Sequence, residues 1–197
     1  MSEFWDSRYS TNEYIYSKNP NQYFKEKIDS LSVGNILLIA EGEGRNAVYA
    51  AKKGWHATAL DNSKVAREKA LKLAKENMVE IEYISKSYKH FEFIENSYDA
   101  IAIINFHIPS NERKRMHEKM CNALRFGGHL IIHSCNKRQI NYGSGGPKDV
   151  DILYDVKDIL EDFSELKTIE AYEKIIELDE GNLHKGKAEI IRYFGVK

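Results

Sequence analysis

The stretch Ile36–Asn46 reads ILLIAEGEGRN: an apolar run, a glycine turn, then the opening of a helical pattern. Gly42, Gly44 and Ala47 fit G-x-G-x-x-A, the spacing with which a strand, turn and helix hold the pyrophosphate of a dinucleotide. Yet Glu41 and Glu43 sit inside that loop. A pyrophosphate wants backbone N–H groups, a helix N-terminus and no nearby carboxylate. Two like charges about 4 Å apart repel by roughly 4 kcal/mol at an effective dielectric near 20. The two acids therefore count against a nicotinamide dinucleotide or a nucleoside triphosphate. They suit a ligand that brings positive charge and no phosphate. S-adenosylmethionine is such a ligand, with a sulfonium, an ammonium and a single carboxylate. Asp61 lies 20 residues beyond Glu41, at the end of the next apolar run, where an acid accepts hydrogen bonds from ribose hydroxyls. As a rim residue it should carry few core contacts.

Histidine supplies proton transfer near neutral pH. His107 follows a strongly apolar run, and His184 sits in a short polar gap between two β-like runs. If the ligand is S-adenosylmethionine, the reaction to expect is methyl transfer, an in-line displacement whose rate can come mostly from positioning. A hydroxyl or amine acceptor needs a general base, usually His; a soft acceptor such as a thiolate does not. His107 and His184 are the expected catalytic residues. His133 lies within an apolar run and reads as packed core, and Cys135 as a small apolar residue. Arg8 is placed either to grip a ligand carboxylate bidentately or to pair with Asp6 or Glu13. It belongs to an N-terminal stretch rich in aromatics, which suits a lid whose Trp5, Arg8, Tyr9 and Tyr16 touch the acceptor. The loop Lys137–Asp151, with Tyr142 and three glycines, is a second expected cover. Closing such a site keeps water from a reactive sulfonium.

The elements that must carry these residues alternate. Pro20 and its flanking Asn residues mark a helix start ahead of Tyr23, Phe24, Ile28 and Leu31 at helical spacing. Strands are expected at Asn35–Ala40, His56–Leu60, Glu80–Ser85, Tyr98–Asn105 and His129–Cys135, the last entered through a turn at RFGG. Between them run helices at Asn46–Lys53, at Ser63 to about Asn77 with Ser63 as N-cap, and at Pro109–Leu124. Such alternation implies right-handed crossovers and a mostly parallel sheet. After a short helix, Asp155–Asp162, come two long β-like runs, Leu166–Leu178 and Lys187–Val196, with only DEGNLHKG between them. A crossover needs a dozen or more residues, so these two should pair as an antiparallel hairpin. The expected fold class is α/β: a Rossmann-like, mostly parallel sheet with a C-terminal antiparallel hairpin and helices on both faces. One domain is expected over 1–197: a lid and helix at 1–31, a cofactor-binding core at 32–135, and a substrate-side loop and closing hairpin at 136–197.

A chain of 197 residues can bury the core of one such domain. Its formal net charge of -1 lacks the excess of Lys and Arg that nucleic acid requires. The longest apolar run, around Ala100–Ile108, is too short to span a bilayer, and MSEFWDSRYS does not have the order of a secretory signal. Cys121 and Cys135 make neither a disulfide framework nor a closed zinc site. The expectation is a cytoplasmic protein with a small-molecule partner and no nucleic acid, membrane or metal. Oligomeric state is not legible.

FWDSRY at Phe4–Tyr9, YIYSKNPNQYF at Tyr14–Phe24, EGEGRNAVYAAKKG at Glu41–Gly54, LDNS at Leu60–Ser63, ENSYDAI at Glu95–Ile101 and GGPKD at Gly145–Asp149 follow one another along the chain. With them the sequence resembles class I S-adenosylmethionine-dependent methyltransferases over nearly its whole length. It is most similar to the small bacterial group related to tellurite-resistance and thiopurine-type methyltransferases. The resemblance implies methyl transfer from S-adenosylmethionine to a small molecule, with S-adenosylhomocysteine as product; a soft acceptor, a thiol or a chalcogen oxyanion, is expected. It implies that Ala40, Glu41, Gly42 and Gly44 line the methionine part of the cofactor, with Glu43 and Asn46 in the same loop. Asp61 would take the ribose and Asn62 the adenine edge. After the third strand the family often has an acid where this chain has Ser87, so Ser87 or Tyr88 would meet adenine instead. Asn105 and Phe106 would pass under the sulfonium. Two alternatives stay open. One is an NAD(P)-dependent oxidoreductase, on the glycine spacing. The other is a nucleic-acid methyltransferase or a cofactor-binding module without activity, although NFHIP stands where DNA amino-methylating enzymes carry Asn/Asp-Pro-Pro-aromatic.

Overall fold

The computed structural model describes residues 2–181 and 183–197. Among the described residues, seven strands form one sheet: β1 (Asn35–Ile39), β2 (His56–Asp61), β3 (Glu82–Ser85), β4 (Tyr98–Ile104), β5 (Leu124–Cys135), β6 (Lys167–Asp179) and β7 (Lys185–Val196). Their order is β3-β2-β1-β4-β5-β7-β6. The first five are parallel, and β7 runs antiparallel to both its neighbours. The α-helices are α1 (Ser2–Tyr9), α2 (Gln22–Ile28), α3 (Arg45–Lys52), α4 (Lys64–Glu76), α5 (Ser110–Ala123) and α6 (Val156–Asp162). None is long and apolar enough to cross a membrane.

In the central strands the runs Ile36–Ile39 and Ala100–Ile104 are apolar and buried at successive positions, so the middle of the sheet is covered on both faces. Alternate residues divide the core. Leu37, Ile39 and Ile103 pack with Met116 and Met120 of α5 and with Phe163, the C-cap of α6. Ile36, Leu38 and Ala102 pack with Phe24 and Ile28 of α2 and Ala50 of α3. Each large side chain buried this way contributes about 1.5–3 kcal/mol.

Caps fix the helix starts. The Asn21 side chain accepts from the N–H groups of Tyr23 and Phe24, and Ser63 accepts from Ala66. Asp155 and Asp158 form a capping box on α6. Two expected boundaries move. RFGG does not precede β5 but bulges within it, between the pairs Tyr98–Leu124 and Ala100–His129. β6 ends at Asp179 and β7 begins at Lys185, so the gap between the hairpin strands is shorter than expected.

Gly44 is fixed by packing. Its φ is +86°, and a Cβ there would lie 2.5 Å from the Ala70 Cβ in α4. Left-handed strain of about 1–2 kcal/mol then adds to overpacking of about 1–3 kcal/mol. Gly44→Ala is expected to lose about 2–5 kcal/mol in urea unfolding; an unchanged midpoint would refute the contact.

Candidate active site

The carboxyl ends of the parallel strands open on a cavity of about 620 Å³, a volume suited to a small ligand. The β1 loop delivers Ala40, Glu41, Gly42, Glu43 and Asn46. Asp61 and Asn62 come from the end of β2, and Ser87 and Tyr88 from the segment after β3. Asn105, Phe106 and His107 follow β4, and Cys135 ends β5. From the far side come His184 in the β6–β7 turn, and Trp5, Arg8, Tyr9 and Tyr16 in the N-terminal roof. Gly44 and Tyr142 do not line the cavity. Gly44 faces α4, and Tyr142 stands aside while Gly145 and Gly146 of its loop reach the wall. Ala40 and Asn105 turn the chain at the ends of β1 and β4 with φ of +55° and +54°, uncommon for residues with a Cβ and frequent at ligand sites.

The two loop acids act differently from the expectation. Glu41 Oε1 accepts from the N–H groups of Asn46 and Ala47 at 2.7 and 2.8 Å, and Oε2 accepts from Asn46 Nδ2 at 3.2 Å. The carboxylate thus fills the N-terminus of α3, where unpaired amides and the helix dipole attract an anion. That is the place a pyrophosphate would need. The protein's own acid leaves a dinucleotide no seat there, which weighs more than repulsion at a distance. Burial pushes the Glu41 carboxyl up to about 7, against the pull of Ala47, Asn46 and Arg45. Glu43 turns its carboxylate outward. Oε2 accepts from Ile15 N–H at 2.7 Å, and Oε1 meets Lys69 Nζ at 2.6 Å. It is buried rather than a solvated charge, and it pins the N-terminal segment to α4.

Asp61 braces the same loop. It accepts from Gly42 N–H at 3.0 Å and Ser63 N–H at 2.9 Å. Asp6 in α1 accepts from Ser63 Oγ at 2.6 Å, which seats the roof on the start of α4. Arg8 pairs with neither Asp6 nor Glu13 among the described residues. It donates from Nη1 to the Tyr16 hydroxyl at 3.2 Å.

Tyr154 positions His107. Its buried hydroxyl donates to the Phe106 carbonyl at 3.2 Å and accepts from Ile108 N–H at 2.8 Å, and its ring stacks on His107 at 5.7 Å. His107 Nδ1 is buried without a partner. Burial pushes the His107 pKa down to about 4, despite a backbone hydrogen bond at Ile152. The ring is therefore neutral at physiological pH. His184 packs on Tyr16 at 4.7 Å, and its Nδ1 stands 3.8 Å from Glu180 Oε2. His133 is core, its Nδ1 accepting from Arg192 Nε at 3.2 Å. Burial pushes the Cys135 thiol up to about 12, so it is no ready nucleophile.

Two residues escape the sequence reading. Arg45 Nη2 meets Glu180 Oε2 at 2.8 Å, and Nη1 donates to the Tyr16 carbonyl at 2.8 Å. Glu180 Oε1 accepts from Asn21 Nδ2 at 2.7 Å. This knot joins α3, the N-terminal segment and the hairpin turn that carries His184. One signal was present: a cation at the first position of α3 opposes the helix dipole, which asks for a specific partner.

Residues 36–128 match the family model of a methyltransferase domain. Over those residues the chain is a methyltransferase domain. The whole chain is similar in structure, with a TM-score of 0.80 and 15% identity, to 91% of a protein whose solved structure concerns the conversion of a disulfide bond into a thioacetal group during echinomycin biosynthesis. It is also similar over its whole length to 97% of the N-methyltransferase NodS from Bradyrhizobium japonicum, solved with S-adenosylhomocysteine, with a TM-score of 0.73 and 14% identity. TehB from Haemophilus influenzae gives a TM-score of 0.74 at 16% identity, with the methyltransferase spanning 66% of that chain. At such identities the structures establish the fold. No curated protein matches the sequence significantly.

Proposed function

We propose that the methyltransferase acts on a small, soft nucleophile, a thiol or a chalcogen oxyanion, within its roofed cavity. The observation that carries the cofactor side is Glu41 on the N-terminus of α3, which removes the phosphate seat and leaves an acid beside a cationic ligand. Asp61 and Asn62 would hold the ribose and the adenine edge, with Ser87 and Tyr88 beside adenine. Ala40 and Gly42 would line the methionine part, and Asn105 and Phe106 the region of the sulfur. When bound, S-adenosylmethionine supplies an electrophilic methyl group. The chain's own residues orient and enclose: α1 and Tyr16 roof the cavity and exclude water. A neutral His107 with a pKa of about 4 is a weak base at neutral pH, which supports an acceptor that arrives ionised. The small cavity and the net charge of -1 support a small molecule over nucleic acid.

The test is formation of S-adenosylhomocysteine from S-adenosylmethionine with thiols, oxyanions of selenium and tellurium, and small amines. Turnover on thiols or oxyanions is expected; turnover on amines alone would overturn the acceptor class.

Two further outcomes follow from the wall. His184→Ala is expected to lower kcat roughly 10- to 100-fold by misplacing the acceptor, with S-adenosylhomocysteine affinity little changed; equal losses in both would assign it a structural role. Glu41, at about 7, is half protonated near pH 7. A nearby cation favours the ionised acid and lowers that pKa. Binding of S-adenosylmethionine near pH 7 should therefore release up to about half a proton, and binding of S-adenosylhomocysteine, which lacks the sulfonium charge, less. Calorimetry in buffers of different ionisation enthalpy reads this; equal release for the two would place Glu41 away from the sulfur.

A further inference from the structure

We infer that Arg8 is an anion subsite in the roof of the cavity, where its guanidinium takes a carboxylate or similar oxyanion of a bound molecule. The inference rests on the reading of the cavity as a cofactor and acceptor site.

The other charged groups of the inner wall are already satisfied. Glu43 pairs with Lys69 and Arg45 with Glu180. Glu41 and Asp61 accept from backbone amides. Arg8 is half-buried and has no carboxylate within ion-pair distance among the described residues. Lys86, also on the wall, is exposed and solvated.

A guanidinium carries five N–H donors. A single hydrogen bond from Arg8 is formed among the described residues, to the Tyr16 hydroxyl at 3.2 Å. The group is nonetheless held in place. It lies over the rings of Phe4 and Trp5 at 4.8 and 5.2 Å, contacts that orient the plane without consuming donors. Trp5 stacks on Tyr9 at 5.6 Å, and the Tyr9 hydroxyl covers Gly42. Tyr16 in turn packs against His184. The guanidinium therefore stands between the glycine loop and the hairpin turn, with free donors in a partly desolvated place. An oxyanion is the partner such a planar fork binds best, by two parallel hydrogen bonds.

That oxyanion has two possible sources: the cofactor's own carboxylate, or an anionic group on the acceptor. Calorimetry on the wild type, Arg8→Met and Arg8→Lys separates them. The probes are S-adenosylhomocysteine and 5′-methylthioadenosine, which keeps the nucleoside and sulfur but has no carboxylate. A second pair, mercaptoacetate and 2-mercaptoethanol, is titrated into the S-adenosylhomocysteine complex.

If the cofactor supplies the anion, Arg8→Met weakens S-adenosylhomocysteine roughly tenfold or more and leaves 5′-methylthioadenosine unchanged. If the acceptor supplies it, Arg8→Met leaves both nucleosides unchanged and weakens mercaptoacetate by a similar factor, but not 2-mercaptoethanol. Arg8→Lys keeps the charge without the fork and should recover part of either loss. A variant that matches the wild type for both S-adenosylhomocysteine and mercaptoacetate, or that loses S-adenosylhomocysteine and 5′-methylthioadenosine equally, overturns the inference alone. Failure of the wild type to bind S-adenosylhomocysteine overturns the cofactor reading, and this inference with it.

Discussion

Lys69→Met should destabilise the methyltransferase by about 3–5 kcal/mol, the usual loss when one partner of a buried ion pair is removed. The Glu43 side chain is 3% exposed and Lys69 13% exposed. Without the ammonium, Glu43 keeps its hydrogen bond from Ile15 N–H but remains a buried, uncompensated charge. Methionine preserves the apolar stem, so the loss reports the charge rather than the volume. Glu43→Gln is the informative companion. Lys69 also donates to the Glu13 carbonyl at 2.6 Å, so the ammonium is not stranded and the loss should be smaller. Chemical denaturation measures both. A loss below about 1 kcal/mol for Lys69→Met, the scale of an exposed pair, would mean that Glu43 does not anchor the N-terminal segment.

Asp61→Ala should weaken S-adenosylhomocysteine by about 3 kcal/mol, roughly 100-fold or more, the scale of two hydrogen bonds from ribose hydroxyls to a charged acceptor. It should also lower stability by about 2 kcal/mol, because the Gly42 and Ser63 amides lose their acceptor. The expectation that a rim acid carries few structural contacts is corrected here: Asp61 is only 9% exposed and ties the β1 loop to the end of β2. Asp61→Asn separates the two roles. It keeps an oxygen for a backbone amide, so it should recover stability more than affinity. Normal binding by Asp61→Ala would remove Asp61 from the ribose.

Much of this fold was legible because its determinants are local. The apolar runs that become β1, β2 and β4 are buried on both faces, and caps such as Ser63 and Asn21 act within three residues of themselves. The hairpin followed from a gap too short for a crossover. The cavity wall was legible in part, because strand ends can be counted along the chain: Glu41, Asp61, Asn105 and His184 all reach it. What was not legible is contact across sequence. Glu43 reads as a loop charge until Lys69, 26 residues on, meets it. Arg45 and Glu180 are 135 residues apart and belong to no motif. Gly44 has the spacing of a ligand glycine, but the Ala70 side chain claims its space. Glu41 shows the same limit in reverse. Its sign pointed to a cofactor without phosphate, but the physical reason is its hydrogen bonds to the start of α3, which no charge count reveals.

The most direct measurement is calorimetric titration of the wild-type protein with S-adenosylhomocysteine, with NADH as the comparison ligand. Saturable binding in the micromolar range, one molecule per chain, is expected for S-adenosylhomocysteine, and none for NADH, because Glu41 already holds the amides a pyrophosphate would need. Absence of binding at millimolar S-adenosylhomocysteine, or tight binding of NADH, would contradict the assignment of the cavity.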